Sequence, residues 1–400
     1  MQVLVLNSGS SSVKYQVVET EDRRALAVGQ VERIGTAGAI LSQERRDDGV
    51  RIKESRSVLD HREAVFQVLE LLQDPERGAI ASVADLGAVG HRVVHGGEAF
   101  TESVAVSPSV LEGIRDSVEL APLHNPHNLT GILAARSRIP DIPHVAVFDT
   151  AFHSELPPES FHYALPYVMY RRHRIRRYGF HGTSHQYVLM RCAELLERPP
   201  ESLRLVSLHL GNGASACAIG GGRSVETSMG FTPLEGLVMG TRSGDVDPAV
   251  VLHIMAREEL TASDISAMLN KHSGLQGLSG ISGDMRDLLA EEEAGEERAR
   301  LALDVYIHRI RKYLGAYAAA LGGLDAVAFT GGVGENAASI RRRVLEGFGF
   351  LGVQVDDEAN EKLHSGEEGP FHVGPTAALV IRSGEELTIA LEAERVAGEM

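Results

Sequence analysis

The chain opens on a short apolar run, Val3-Leu4-Val5-Leu6. It breaks at Asn7-Ser8-Gly9-Ser10-Ser11-Ser12, and Val13, Tyr15 and Val17 then alternate with Lys14, Gln16 and Val18. An unbroken apolar run followed by a period of two spells a buried strand, a polar turn and a second strand. The plan recurs in the second half of the chain. Leu205-Val206-Ser207-Leu208-His209-Leu210 reads as a strand and Gly211-Asn212-Gly213 as a turn. Ala214 to Ile219 is then a second strand, ending at Gly220-Gly221-Gly222. One such hairpin fits many folds. Two, each opening a half of the chain, predict a duplicated architecture.

Other buried strands are predicted at Leu86 to Val94, His144 to Phe148 and Ala326 to Thr330. Each runs into polar or glycine residues: His95-Gly96-Gly97, Asp149-Thr150 and Gly331-Gly332-Val333-Gly334. Helical stretches lie between them. The clearest runs from about Glu296 to Leu321, with Ala299, Ala302, Leu303, Tyr306, Ile310, Tyr313, Leu314, Tyr317 and Leu321 at the spacing of one buried face. Strands alternating with helices make an α/β protein. In such sheets ligands gather beyond the carboxyl ends of strands, where these polar clusters fall. At 400 residues the chain exceeds one ordinary core and suggests two domains.

Bulk properties exclude several classes. A net charge of -16 argues against nucleic acid as a partner, because phosphate backbones need a cationic footprint. The two cysteines, Cys192 and Cys217, sit in apolar contexts and suit neither a disulfide framework nor a thiolate zinc site. No run approaches the ~20 apolar residues of a membrane span. Val3 to Leu6 is too short for a signal-peptide core and lacks a basic start, so a cytoplasmic protein is expected. The basic run Arg171 to Arg177 reads as a solvated or subunit-facing strip, or as local attraction for an anionic substrate.

Four clusters and two single residues carry candidate chemistry. The opening loop is not a Walker loop, since Val13 stands where the second glycine belongs and Tyr15 where Ser or Thr belongs. A strand also follows instead of a helix. It remains a tight turn rich in donors and followed by Lys14, a nest able to hold phosphate oxygens. Gly331 to Asn336 forms a glycine-rich turn between a strand and the helical stretch Ala337 to Phe348, open to an anion. His181 and His185 have the spacing of a zinc helix, but the Gly-Thr-Ser between them lacks the glutamate and favours a loop. Arg242 stands between Gly240 and Gly244, as an anion clamp or a loop salt bridge. Arg92 interrupts an apolar strand, as a buried ion pair or an anion contact. Asp149 ends a strand, as a helix cap or a catalytic or metal-binding carboxylate.

Taken together, these segments resemble the acetate kinase family. The motifs are Asn7-Ser8-Gly9-Ser10-Ser11-Ser12-Val13-Lys14, Gly179-Phe180-His181-Gly182-Thr183-Ser184-His185, Gly240-Thr241-Arg242-Ser243-Gly244-Asp245-Val246-Asp247-Pro248 and Gly331-Gly332-Val333-Gly334-Glu335-Asn336. Their order and spacing fit, and the likeness covers nearly the whole chain. The resemblance implies the superfamily of acetate and sugar kinases, heat-shock chaperones and actin. Its fold is two duplicated ribonuclease-H-like α/β domains around a central nucleotide cleft. Residues 1–150 with a C-terminal helix 386–400 would form one domain, and residues 151–385 the nucleotide-binding other. The implied reaction is reversible in-line transfer of the ATP γ-phosphoryl group to acetate, giving acetyl phosphate and ADP. The ion would be magnesium, with manganese as the alternative.

By the same resemblance, Asn7 and Glu385 would serve the metal and Lys14 the ATP phosphates. Arg92 would hold the substrate carboxylate, Asp149 would carry the proton donor/acceptor role, and His181 and Arg242 would stabilise the transferring group. His209, Leu210, Gly211, Asn212 and Gly213 would contact ATP, as would Asp284, Met285, Arg286 and Gly332, Val333, Gly334, Glu335, Asn336. Val94, Leu123, Phe180 and Pro233 would line a small methyl pocket, with a propionate or other short-chain acyl kinase as the alternative. A homodimer is expected, with no nucleic-acid or membrane partner. Two positions depart from the family pattern: Ser383-Gly384 stands where Thr-Asn is usual, and Met285 where an aromatic is common. Read without the family, Ser383 and Glu386 would make a capping box.

The chemistry suits this set. A carboxylate with an ordinary pKa of ~4 is already ionised at neutral pH and needs no base. The obstacle is an anion approaching an anionic γ-phosphate, so positioning and positive charge should dominate. Asp149 is therefore expected to orient metal-bound water or an arginine.

Overall fold

A computed structural model describes residues 1–122 and 124–400, the side chain of Ala37 excepted. The chain divides into two compact units, Met1–Ser154 with Gly384–Met400, and Glu155–Ser383.

The first unit is built on eight strands: β1 (Gln2–Ser8), β2 (Ser12–Glu19), β3 (Arg24–Glu32), β4 (Thr36–Arg45), β5 (Arg51–Val58), β6 (Leu86–Val93), β7 (Val104–Ala105) and β8 (His144–Phe148). They form one sheet in the order β5-β4-β3-β2-β1-β6-β8-β7. β1 pairs antiparallel with β2 and parallel with β6, and β6 pairs parallel with β8. Alternation along β1 sends Leu4 and Leu6 to one face and Val3 and Val5 to the other. The first face joins Val13, Tyr15, Val17 and Leu41 in a core with the helix His61–Leu72 and with Ala134 and Ala135 of the helix Asn125–Arg138. The second meets Ile389, Ala390, Ala393 and Val396 of the helix Glu385–Gly398. Glu385 therefore belongs with the first unit. The division expected from sequence put it in the second, but its helix packs on β1, β6 and β8.

The second unit repeats the plan with β9 (Leu205–Leu210), β10 (Ala214–Gly220), β11 (Arg223–Thr227), β12 (Ala326–Thr330), β13 (Gly369–Pro370) and β14 (Ala377–Val380), in the order β11-β10-β9-β12-β14-β13. β9 pairs antiparallel with β10 and parallel with β12, and β12 pairs parallel with β14. The run β3-β2-β1-β6-β8-β7 thus has the same pairing sense as β11-β10-β9-β12-β14-β13, down to an antiparallel edge strand. The duplication expected from the two hairpins is present in the topology. Between β11 and β12 the helix Glu297–Ala320 buries Ala299, Ala302, Leu303, Tyr306, Ile310, Leu314 and Tyr317, as its spacing predicts.

Three local expectations are corrected. Gly331–Asn336 is itself a short helix, entered through Gly331 at φ +78°, where only glycine is unstrained. The helix that follows runs only over Ala338–Leu345. The segment expected as a loop around His181 and His185 instead starts the helix Gly182–Leu195, with His181 at its N-cap at φ 57°. The basic run divides: Arg171 to Arg174 are exposed, whereas Arg176 is buried against the Phe161 ring. Arg177 donates to the carbonyls of Thr227 and Ser228 and to Glu235.

Gly90 decides how closely the C-terminal helix approaches β6. A Cβ there would stand 2.7 Å from Ile389 Cγ2 and 3.2 Å from the Ile389 carbonyl. Gly90→Val is expected to destabilise the protein by about 2 kcal/mol through overpacking and to lower activity by displacing Glu385. Urea melts and kinetics check this, and an unchanged midpoint would rule out the close contact.

Candidate active site

The first unit assembles charged groups around the ends of β1, β6 and β8. The opening loop closes as a turn through the Gly9 N–H donating to the Ser12 carbonyl at 2.8 Å, which leaves Asn7 and Lys14 as direct cross-strand partners. Both line a cavity of about 690 Å³ with Gln16, Gln30, Lys53 and Glu386. Arg92 meets Asp149 side-on, with Nε 2.9 Å from Oδ1 and Nη2 2.6 Å from Oδ2. Arg92 Nη2 lies 4.0 Å from Glu385 Oε2. Burial alone would lower the guanidinium's pKa, but the charges of Asp149 and Glu385 outweigh it and hold Arg92 more firmly protonated. Asp149 is thus an ion-pair partner of Arg92, and the helix-cap reading falls away.

Glu385 and Glu386 both have raised carboxyl pKa values. Burial is the main cause for each, and a neighbouring carboxylate adds to it. Glu386 forms no capping box with Ser383, because Ser383 donates its N–H and hydroxyl to Glu335 instead. Among the described residues no three His, Cys, Asp or Glu side chains converge to hold a metal alone. Magnesium does not require such a set, since it takes hard oxygen donors, keeps several waters and shares its shell with phosphates. The amide of Asn7 and the acidic pair Glu385–Glu386 fit that chemistry.

Two buried asparagines that the sequence reading missed fasten this region. Asn128 accepts from the Val94 N–H and donates to the Ser8 carbonyl, and Asn125 bonds both the N–H and the carbonyl of His95. Their signal was two amides three residues apart on an otherwise inward-facing helix. Val94, of the expected methyl pocket, is buried at the end of β6. Leu123 lies outside the described residues.

The second unit carries the other candidates. His181 stacks on His209 with ring centroids 4.2 Å apart, and its Nδ1 lies 2.9 Å from Ser215 Oγ. His209 Nδ1 lies 2.8 Å from Ser184 Oγ. Arg242 donates to the Pro233 carbonyl at 3.2 Å and has no carboxylate partner among the described residues, so the loop-salt-bridge reading fails. Burial lowers its pKa with nothing to offset it. The two groups flank the bare backbone of Gly213. A Cβ there would stand 3.5 Å from Arg242 Nη1 and 3.8 Å from His181 Nε2. Phe180 is buried beside His181 in sequence.

A cavity of about 670 Å³ in this unit gathers Gly211, Asn212, Asp284, Met285, Arg286, Gly332, Val333 and Asn336, with Leu275, Leu289, Tyr306 and Ala337. Its size and mixed lining suit a nucleotide-sized ligand. Asp284 caps its helix and grips Arg286, whose hydrogen bond holds the carboxyl down to about 2. Met285 is buried in the wall. The other expected nucleotide residues take different places. His209 is in the His181 stack and Leu210 in the core, while Gly213 lies under Arg242. Gly334 is buried, and Glu335 accepts from Gly331 and Ser383. Arg341, fully buried and missed from sequence, donates to the carbonyls of Gly334 and Glu335 and so holds the short glycine-rich helix. Burial pushes its guanidinium down to about 10.

A model of the acetokinase family matches residues 2–391. A Symbiobacterium thermophilum protein named acetate kinase is 53% identical over 397 residues, 98% of each chain. The crystal structure of Porphyromonas gingivalis acetate kinase matches with a TM-score of 0.95 at 44% identity over 99% of each chain. A propionate kinase from Francisella tularensis subsp. tularensis gives 0.91 at 38% identity, again over 99% of each.

The raised Glu385 carboxyl has a consequence for stability. Burial favours its neutral form, Arg92 partly offsets this, and Asp149 adds to it. A carboxyl that holds its proton more tightly when folded costs stability once ionised. The cost is absent below the unfolded pKa and full above the folded one. Glu385→Gln is expected to raise Tm by about 2–4 °C at pH 8 and to have little effect near pH 4. Thermal melts across that range test this, and a Tm loss at pH 8 would contradict it.

Proposed function

Since this chain belongs to the acetokinase family, we propose that it transfers the γ-phosphoryl group of ATP reversibly to acetate, in line, giving acetyl phosphate and ADP. The observation that carries the proposal is Arg242, a partly buried guanidinium with no counter-ion among the described residues, set with His181 over Gly213. A charge so placed is costly until an anion arrives. An equatorial phosphoryl oxygen is such an anion, and it carries most charge in the transition state.

The nucleotide occupies the cavity of Asn212, Asp284 to Arg286, Gly332, Val333 and Asn336, with its phosphates directed to Arg242 and His181. In the first unit Lys14 takes phosphate charge and Arg92 holds the acid. The Arg92 fork uses Nε and Nη2 on Asp149, leaving Nη1 with no partner among the described residues. Asp149 is read as a positioning residue for Arg92, because the acid reacts as its anion and offers no proton to abstract. Asn7 and the Glu385–Glu386 pair would hold magnesium, which would supply neutralisation of phosphate charge. Val94, Phe180 and Pro233 are proposed to limit the acyl group, with propionate as the slower substrate. One extra methylene shifts selectivity by only ~10–200-fold.

A second copy of the chain is the proposed partner. The helix Pro248–Arg257 buries none of its residues, although Val250 and Leu252 are 45% and 67% exposed. No described helix is long and apolar enough to cross a membrane, and the cytoplasm, where ATP is supplied, is the proposed location.

ADP formation coupled to a second enzyme, run with acetate, propionate and no acid, tests the reaction. Acetate-dependent turnover is expected, and turnover independent of added acid would contradict it. Arg242→Ala is expected to lower kcat by at least ~10³ with the fold intact, and a loss under tenfold would remove it from the phosphoryl site.

A further inference from the structure

A chain of hydrogen bonds runs behind His181. Ser207 Oγ lies 2.9 Å from His185 Nδ1, His185 Nε2 lies 2.9 Å from Ser215 Oγ, and Ser215 Oγ lies 2.9 Å from His181 Nδ1. Ser207, His185 and Ser215 are all 0% exposed. The fold places them together. Ser207 and His209 share one face of β9, and Ser215 stands opposite His209 on β10. His181 and His185 are one turn apart at the start of the helix Gly182–Leu195.

Proton counting fixes the direction of this chain. Each hydroxyl has one hydrogen to donate, and a neutral imidazole has one N–H and one acceptor nitrogen. In one direction Ser207 donates to His185 Nδ1, His185 Nε2–H donates to Ser215, and Ser215 donates to His181 Nδ1. Every hydrogen is then used, and the His181 proton sits on Nε2. In the reverse direction His185 Nδ1–H donates to Ser207, whose own hydrogen then needs another acceptor. Ser207 Oγ has no other partner among the described residues. The reverse direction therefore strands a buried O–H, a bias on the order of five- to a hundredfold. A second proton on either histidine meets the same obstacle, since it always leaves one buried hydroxyl hydrogen without an acceptor.

We propose that Ser207, His185 and Ser215 are positioning residues that hold His181 neutral, with its proton on Nε2, the nitrogen that faces Gly213 beside Arg242. Given the phosphoryl-transfer reading above, on which this rests, His181 is a fixed N–H donor to a phosphoryl oxygen and never a base. Titratable groups that face His181 include His185 on its own helix, His209 stacked on it from β9, and Arg242 across Gly213. The Arg242 charge opposes an imidazolium and so favours the neutral ring, while the hydrogen-bond chain sets the tautomer. No proton moves in the step: Nε2–H stays bonded to His181 while the phosphoryl group passes from ADP oxygen to carboxylate oxygen.

The test is nitrogen-15 NMR of the full chain with labelled histidine and no ligand, with the His181 signals assigned by their loss in His181→Gln. The wild type should show neutral His181 protonated on Nε2 at pH 7.5. Ser207→Ala removes the hydrogen that sets the direction and should give a tautomer mixture, whereas Ser207→Thr should restore the single form. Ser215→Ala should lower kcat by at least about fivefold, with KM for Mg-ATP and acetate within twofold. It should also add an ionisation between about pH 6 and 8 to the kcat profile, as an untethered imidazole would. Wild-type His181 protonated on Nδ1, or charged, would overturn the proposal even if every variant failed to fold. So would a folded Ser215→Ala protein with unchanged tautomer and kcat. The wild-type spectrum needs no turnover, so an inactive protein would contradict the proposed reaction without touching this result.

Discussion

The pair of Arg92 and Asp149 is the constraint on which the first unit's chemistry rests. It joins the carboxyl ends of two neighbouring parallel strands, and the Asp149 N–H donates to the Val93 carbonyl in the same step. A buried carboxylate and a half-buried guanidinium cost more in desolvation than a loose contact returns, so such a pair persists only with good geometry. The side-on fork provides it. Orienting Arg92 in advance has a functional meaning. In the proposed reaction the guanidinium would present its remaining edge to the carboxylate without reorganising, and preorganised charge is the main source of catalysis in phosphoryl transfer. Glu385, 4.0 Å away, adds negative charge that Arg92 and Lys14 partly relieve.

The second unit solves the opposite problem. Arg242 has no carboxylate among the described residues, and burial lowers its pKa with no partner to offset it. One arginine is therefore neutralised in place and the other left unsatisfied. The first is suited to hold a ligand steadily, the second to meet charge that builds up during reaction. His181 beside it adds a hydrogen-bond donor without adding charge, if the serine–histidine relay sets its proton as proposed. In a chain of net charge -16, cations placed this selectively decide where an anion can stay.

Much of this was legible in the sequence because it follows from periodicity. The two hairpins, the buried strands and the long helix come from apolar spacing, and the matching strand order of the two sheets makes the duplication plain. The pairing of Arg92 with Asp149 was not legible, since it depends on residues 57 positions apart being carried by strands that become neighbours in register. Local reading also failed where tertiary contacts override local preference. Gly331–Asn336 is helical because Arg341 holds its last carbonyls, and Ser383 turns to Glu335 instead of capping its helix. Arg176 and Arg177 looked like surface charge, yet carbonyls and an aromatic ring absorb them. Asn125 and Asn128 escaped notice because a buried amide shows its purpose only when the backbone it serves is known.

The central claim is a single direct transfer between nucleotide and acid, with no protein group taking the phosphoryl in between. The stereochemistry at phosphorus tests it most directly, using ATP made chiral at the γ-phosphorus with oxygen isotopes and acetate as acceptor. One in-line displacement predicts inversion of configuration in the acetyl phosphate formed. Retention would mean two displacements through a phosphorylated side chain, and would contradict roles for Arg92, His181 and Arg242 that are confined to holding and stabilising the transferring group.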